Sequence, residues 1–237
     1  MVKRALVRGV SAGAGAGLAY GIYVGVIATP LIEYVETFES GGGSAVVPGV
    51  VATLASVAGG ALYGILLGAA VFGVAFYLLE PALPGTARTK RYLLAAAGFL
   101  VVSGVPWLVF PPVPPGAEHS LPTEVRLPWY GVSMAVGAVA CGLAVGAYTR
   151  LEPSQGTGLA ILAAGVGLVP VLLLVIVAPS NRIASPVPGQ VATLFTLATV
   201  VGQVGLWTLL ATVHGWLAGR SVPNDSPAAT VQPPESG

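Results

Sequence analysis

Six long apolar stretches, none with an internal Asp, Glu, Lys or Arg, constrain the fold of this chain more than any other feature. A helix that crosses a bilayer needs about 20 mostly apolar residues, because it must satisfy its own backbone hydrogen bonds inside the hydrocarbon. Each stretch reaches that length within the usual boundary error. The sequence therefore predicts an all-α, polytopic membrane protein with six transmembrane helices and the lipid bilayer as its main surroundings. The stretches run approximately over Val10–Ile32, Val51–Leu79, Tyr92–Phe110, Trp129–Tyr148, Gly158–Ala178 and Val191–Ala218.

The composition excludes a water-soluble fold. Only 8% of the 237 residues are charged, whereas an ordinary soluble domain has about 25%. The net charge of +1 gives no electrostatic reason to expect a nucleic-acid partner. Cys141 is the single cysteine, which excludes an intrachain disulfide and any Cys-rich metal site. It lies in an apolar run, and we interpret it as a small packed residue.

The basic residues predict how the helices are oriented. Cytoplasmic loops carry an excess of Lys and Arg, and eight of the ten basic residues fall on one side when the six helices alternate. Both termini are therefore expected in the cytoplasm of a multi-pass protein of the cell membrane. The eight are Lys3, Arg4, Arg8, Arg88, Lys90, Arg91, Arg150 and Arg220, and the opposite side has Arg126 and Arg182.

The chain is expected to form one domain and a tail. Residues 1–219 form the predicted six-helix domain, and residues 220–237, which are rich in Pro and Ser, are predicted to be a disordered cytoplasmic tail. A basic N-terminus followed by small apolar residues is also typical of a cleavable signal peptide. The length of the run and the helical spacing of its glycines favour a retained first helix.

Glycines recur every fourth residue in the first two predicted helices. Helices in lipid associate through close packing, and small residues permit close backbone approach. We therefore predict that these two faces meet. The glycines are Gly17, Gly21 and Gly25 in the first helix, and Gly60, Gly64 and Gly68 in the second.

No sequence motif for phosphate binding, nucleophilic catalysis or zinc hydrolysis is present. We therefore do not expect an enzyme, a protein that hydrolyses ATP, or a permanently bound cofactor.

The candidate metal ligands lie mainly on the predicted extracellular side. Glu33 and Glu36 follow the first helix, and Glu118, His119 and Glu124 lie in the third loop. Carboxylates and imidazole together suit cobalt, nickel or zinc, so these residues predict an acidic vestibule that collects a metal ion. The alternative is a set of solvated charges at the membrane boundary.

Two polar residues fall within the last predicted helix. His214 is a further candidate ligand, because polar groups within a membrane are often functional. The alternative places His214 at the cytoplasmic interface beside Trp216. Gln203 is equally consistent with a hydrogen bond between helices.

The third helix and the loop after it resemble a known family. Residues Leu93–Pro115 read LLAAAGFLVVSGVPWLVFPPVPP, which is similar to the signature region of CbtA, a predicted membrane subunit of a cobalt transporter. Thr29–Glu39 and Gly60–Phe76 agree with it in order and spacing. The resemblance implies a transition-metal uptake transporter with cobalt ion as its substrate, and in that case we expect the ion path to pass between the helices that carry the glycine faces. It also implies a small single-span partner, CbtB, whose histidines would supply ligands that this chain lacks.

A second function remains open at this point. The predicted helices contain no internal charge, and a transported cation usually needs ligands on its way through the membrane. This observation is consistent with a non-transporting membrane scaffold or accessory subunit.

Overall fold

The computed structural model describes residues 2–39 and 49–220, with the backbone alone at residues 37–39. Within these ranges it contains six helices that are long and apolar enough to cross a membrane, which confirms the predicted all-α membrane fold. The predicted disordered tail lies outside the described residues, apart from Arg220. The orientation of the termini stays a prediction. The helices are α1 (Val2–Glu36, helical as far as Glu39), α2 (Gly49–Leu79), α3 (Ala87–Val109), α4 (Thr123–Gln155), α5 (Thr157–Val177) and α6 (Gly189–Arg220).

Several helices are longer than their apolar stretches. The first begins at Val2 rather than near Val10, and α4 begins at Thr123 rather than at Trp129. Hydropathy identifies only the part of a helix that lies in hydrocarbon, whereas Lys, Arg and Glu beyond that part are also good helix formers. Glu124 in the first turn of α4 is favourably placed at the positive end of the helix dipole.

Glycines bring the backbones of α1 and α2 into direct contact. A Cβ atom added to Gly17 would lie 2.5 Å from the carbonyl oxygen of Gly60, and one added to Gly21 would lie 2.7 Å from the Cα atom of Val57. Both distances are shorter than van der Waals contact, so only glycine fits at these crossing points. The predicted meeting of the two glycine faces is confirmed, and it continues along α1 to Gly9.

The last helix completes the core. It packs against α1 and α3, and its buried residues Leu206, Trp207 and Leu210 join Phe72 and Phe76 of α2 in one apolar cluster.

Within the described residues, three helices contain a π-helical stretch: Val24–Ala28 in α1, Gly68–Ala75 in α2 and Leu100–Gly104 in α3. Such stretches are often found at functional sites, because the wider turn shifts the helical register and redirects side chains. Thr29 ends the first of them, where both its backbone N–H and its hydroxyl donate to the Val24 carbonyl.

The fourth and fifth helices form a hairpin beside α3. They are joined by Gly156, whose φ of +81° is a conformation that residues with a Cβ atom rarely adopt. Helix α5 is interrupted at Leu168, two residues before Pro170, which lacks the N–H group that helical bonding requires.

A short pair of strands closes one end of the bundle. Strand β1 (Glu118–His119) pairs antiparallel with β2 (Ile183–Ala184), so the loop between α3 and α4 is joined to the loop between α5 and α6. Two-residue strands are too short to show alternating hydropathy, which explains why the sequence did not predict them. We call this end, which carries the loops predicted to be extracellular, the outer end.

Candidate metal site

The first two candidate ligands lie on the extension of α1 at the outer end. The helix continues through Glu33 and Glu36, so their spacing of three residues places them on neighbouring positions of one side. Both side chains are half-buried. The Glu33 carboxylate lies against the start of α2, where a Cβ atom on Gly49 would be 3.2 Å from Oε1.

His119 is held by a hydrogen bond from the neighbouring loop. Its Nδ1 lies 2.7 Å from the Asn181 side-chain nitrogen. The Asn181 oxygen accepts from the backbone N–H of Leu121 at 3.3 Å, so the amide presents its NH₂ group to the imidazole. Nδ1 therefore accepts a hydrogen bond, and the neutral ring carries its proton on Nε2.

Burial lowers the pKa of His119, and the nearby Arg126 guanidinium lowers it further. A neutral imidazole is consequently the form present at pH 7, which is the form that a metal ion requires. The only ring nitrogen without a hydrogen is already bonded to Asn181. Metal binding would thus require His119 to exchange this bond for a metal ligand bond or to change tautomer.

The Pro-rich turn and His119 line one cavity of about 380 Å³ at the outer end. Pro111 and Pro112 form one wall, and the Thr196 hydroxyl of α6 fixes the turn by donating to the Pro112 carbonyl at 3.0 Å. Arg126 reaches into the same cavity, where its Nε is buried without a hydrogen-bond partner. A guanidinium there opposes the binding of a bare cation.

The predicted ligands do not form one compact cluster. Among the residues that the structure describes, no three His, Cys, Asp or Glu side chains come together closely enough to hold a metal ion. Glu118 and Glu124 are exposed beside the cavity. His214 lies 25 residues along α6 from Gly189, about 37 Å at the helical rise of about 1.5 Å per residue. A role in metal binding stays a prediction for the six candidate residues, which are Glu33, Glu36, Glu118, His119, Glu124 and His214.

His214 is enclosed by aromatic rings rather than by other ligands. It is 2% exposed, and its ring centroid lies 5.1 Å from that of Phe72 and 5.2 Å from that of Phe76. Its Nδ1 is buried without a hydrogen-bond partner. Trp216, by contrast, is exposed and stacks on Arg220.

A polar cluster that the sequence analysis largely missed lies between α1, α2 and α6. Gln203 donates from Nε2 to the Tyr20 hydroxyl at 3.1 Å, which confirms the interhelical hydrogen bond considered from the sequence. The rings of Tyr20 and Tyr63 are 6.2 Å apart. Tyrosines in apolar helices resemble ordinary packing residues, and only the similar depth of Tyr20, Tyr63 and Gln203 in three different helices could have indicated a cluster.

Cys141 lies at an apolar cavity of about 470 Å³ between α3, α4 and α5. It is half-buried beside Gly137 and Val105. The surroundings are apolar, as expected, but Cys141 borders a cavity and is not closely packed on all sides.

Comparison with protein-family models shows which family the chain belongs to. A family model described as "Probable cobalt transporter subunit (CbtA)" matches residues 2–219. The chain belongs to the CbtA family. The match includes all six spans, so the similarity seen in Leu93–Pro115 extends over the membrane part of the protein. CbtA is a family of transporter subunits, not of enzymes, and this member is a multi-pass membrane protein. No curated protein and no solved structure is significantly similar to the chain.

Proposed function

We propose that this CbtA protein is the membrane subunit of a cobalt uptake transporter in the cell membrane. The observation that carries the proposal is the match to a family of cobalt transporter subunits over residues 2–219. The acidic side chains at the outer end support it, because carboxylates at the mouth of a path raise the local concentration of a cation.

In this proposal the ion enters from the side of Glu33 and Glu36 rather than through the cavity beside His119, where Arg126 opposes a cation. The path expected between the glycine faces needs revision. At Gly17 and Gly60 the two backbones touch, so the space between α1 and α2 is filled by the backbones themselves. We place the path where α6 joins these helices, along the polar atoms of that junction.

The proposal includes a partner. The family is described as a subunit, and we expect a small single-span protein of the CbtB type to complete the transporter.

Cobalt accumulation in cells tests the proposal. Cells that produce the chain together with a CbtB-type partner should accumulate cobalt in a saturable manner, and cells with either protein alone should accumulate less. Accumulation equal to that of cells with neither protein, with both proteins verified in the membrane, would contradict the proposal.

Removing the outer ligands should slow uptake. Replacing Glu33 and Glu36 by Gln should lower the rate at subsaturating cobalt by about tenfold or more, because electrostatic attraction raises capture rates by about 10- to 1000-fold. The matched control replaces Glu80 and Glu152, carboxylates at the other end of the bundle, and should keep the original rate. Equal rates in both variants would mean that the outer carboxylates are solvated charges only.

A further inference from the structure

A buried polar atom without a partner lies near the middle of α6. Gln203 is 7% exposed, and its Nε2 donates to Tyr20, but its Oε1 is buried and has no hydrogen-bond partner. An unpaired buried acceptor costs about 1–3 kcal/mol, and an apolar residue of similar size at this position would avoid that cost. The retained oxygen therefore points to a binding role.

Polar side chains from three helices meet at this point. Tyr20 of α1 accepts the hydrogen bond from Gln203 of α6, and the Tyr63 ring of α2 lies with its centroid 6.2 Å from that of Tyr20. Each of the three residues lies close to the midpoint of its own helix. Membrane transporters commonly bind their substrates at this depth, where helices meet near the bilayer midplane.

Further polar atoms connect this cluster with the outer end. The hydroxyls of Thr29 and Ser56 are 3.3 Å apart between α1 and α2, and Thr29 is buried. Thr29 lies nine residues from Tyr20 along α1, about 13 Å away. The π-helical stretch Val24–Ala28 lies between them. Oxygen atoms thus occur at intervals from Glu33 down to Gln203.

Another unpaired atom, Nδ1 of His214, is a weaker candidate for a cation. It lies three helical turns further from the outer end, and Arg8 and Arg91 are near enough to act on it electrostatically. Two positive side chains oppose a metal ion there, whereas the structure shows no charged group among the three residues of the Gln203 cluster.

We infer that Gln203, Tyr20 and Tyr63 form an oxygen-lined site at the middle of the membrane, where a divalent metal ion is held briefly during transport. The inference rests on the proposed function. Amide and hydroxyl oxygens are ligands for hard and borderline cations. The absence of a carboxylate from these three residues suits passage rather than storage, because a transported ion must bind weakly enough to leave.

Cobalt binding to the purified full-length protein in detergent micelles, measured by isothermal titration calorimetry with Co²⁺ alone, tests the site. Gln203→Leu should abolish one saturable binding event of the wild-type protein. Gln203→Glu should bind Co²⁺ at least about tenfold more tightly, since hydrogen-bond and charge interactions of an ionised group exceed those of a neutral one by at least about 1.4 kcal/mol. Thr208→Val is the control, because this exposed hydroxyl of α6 bonds only to the Val204 carbonyl of its own helix.

A second variant distinguishes a loss of the binding site from a defect in folding. Tyr20→Phe combined with Tyr63→Phe keeps both rings and removes both hydroxyls, and it should weaken Co²⁺ binding by about tenfold. The inference is overturned if wild-type protein binds no Co²⁺, or if the Leu and Phe variants bind it as the wild type does. In that case Gln203 only links helices.

Cobalt uptake separates this inference from the proposed function. If cells with the wild-type chain and its partner take up cobalt, and cells with Gln203→Leu do so equally, the site is wrong while the function stands. If the wild type takes up no cobalt but the purified protein loses Co²⁺ binding on Gln203→Leu, the site stands and the function is wrong.

Discussion

At the outer end, the hydrogen bonds and ionisation of individual residues depend on their immediate neighbours. His119 accepts a hydrogen bond from Asn181, whose own oxygen is fixed by the backbone of Leu121. The same loops are joined by the Arg182 backbone N–H, which donates to the Ser120 hydroxyl at 2.8 Å. The ionisation of His119 is therefore coupled to the closure of the two outer loops.

Acidic pH should weaken the contact between the two outer loops. The folded structure lowers the pKa of His119 below its ordinary value of 6.5, so the stability from its neutral form is complete above pH 6.5 and declines as the pH falls below it. Hydrogen–deuterium exchange of residues 118–121, corrected for intrinsic rates, should accelerate below pH 6.5. His119→Gln keeps an acceptor for Asn181 and should remove this pH dependence. An unchanged pH dependence in that variant would assign the effect to other groups.

At the scale of the helices, the contact between α1 and α2 depends on which glycines of α2 face α1. A Cβ atom on Gly60 would lie 2.6 Å from the backbone nitrogen of Gly21, whereas one on Gly59 would have nothing within 4 Å. Adjacent glycines of α2 therefore have different roles, and only Gly60 is required by the packing.

Gly60→Ala should destabilise the protein, while Gly59→Ala should not. The methyl group at Gly60 must separate two backbones, and overpacking of this kind costs about 1–3 kcal/mol. At Gly59 the substitution favours the helix by up to about 1 kcal/mol. Thermal unfolding of the two purified variants in the same detergent measures the difference. Equal midpoints would show that α1 and α2 are not in backbone contact.

For the whole molecule, the charge distribution predicts the orientation in the membrane. On a Cys141→Ala background, Glu118→Cys should react with a membrane-impermeant maleimide added to intact cells, because this exposed residue lies at the outer end. Arg88→Cys lies at the opposite end and should react only after permeabilisation. The positive-inside rule favours this result. The reverse labelling pattern would place both termini outside the cell.

Sequence reasoning succeeded where one physical constraint dominates. Hydrocarbon excludes unpaired backbone groups and charges, so apolar length alone identified six helices. Glycine spacing identified the contact of α1 with α2, because only small residues permit it. The ends of α1 and α4 were misplaced, since polar residues such as Lys3 and Glu124 extend a helix without adding hydropathy.

The sequence by itself determined that the chain spans the membrane and which two helices touch, because both properties follow from residue type and local spacing. Only the tertiary structure decided how polar groups distant in the chain meet. It paired His119 with Asn181, and it brought Tyr20, Tyr63 and Gln203 together from three helices. Such meetings depend on the rotation and crossing of whole helices, which no local pattern encodes.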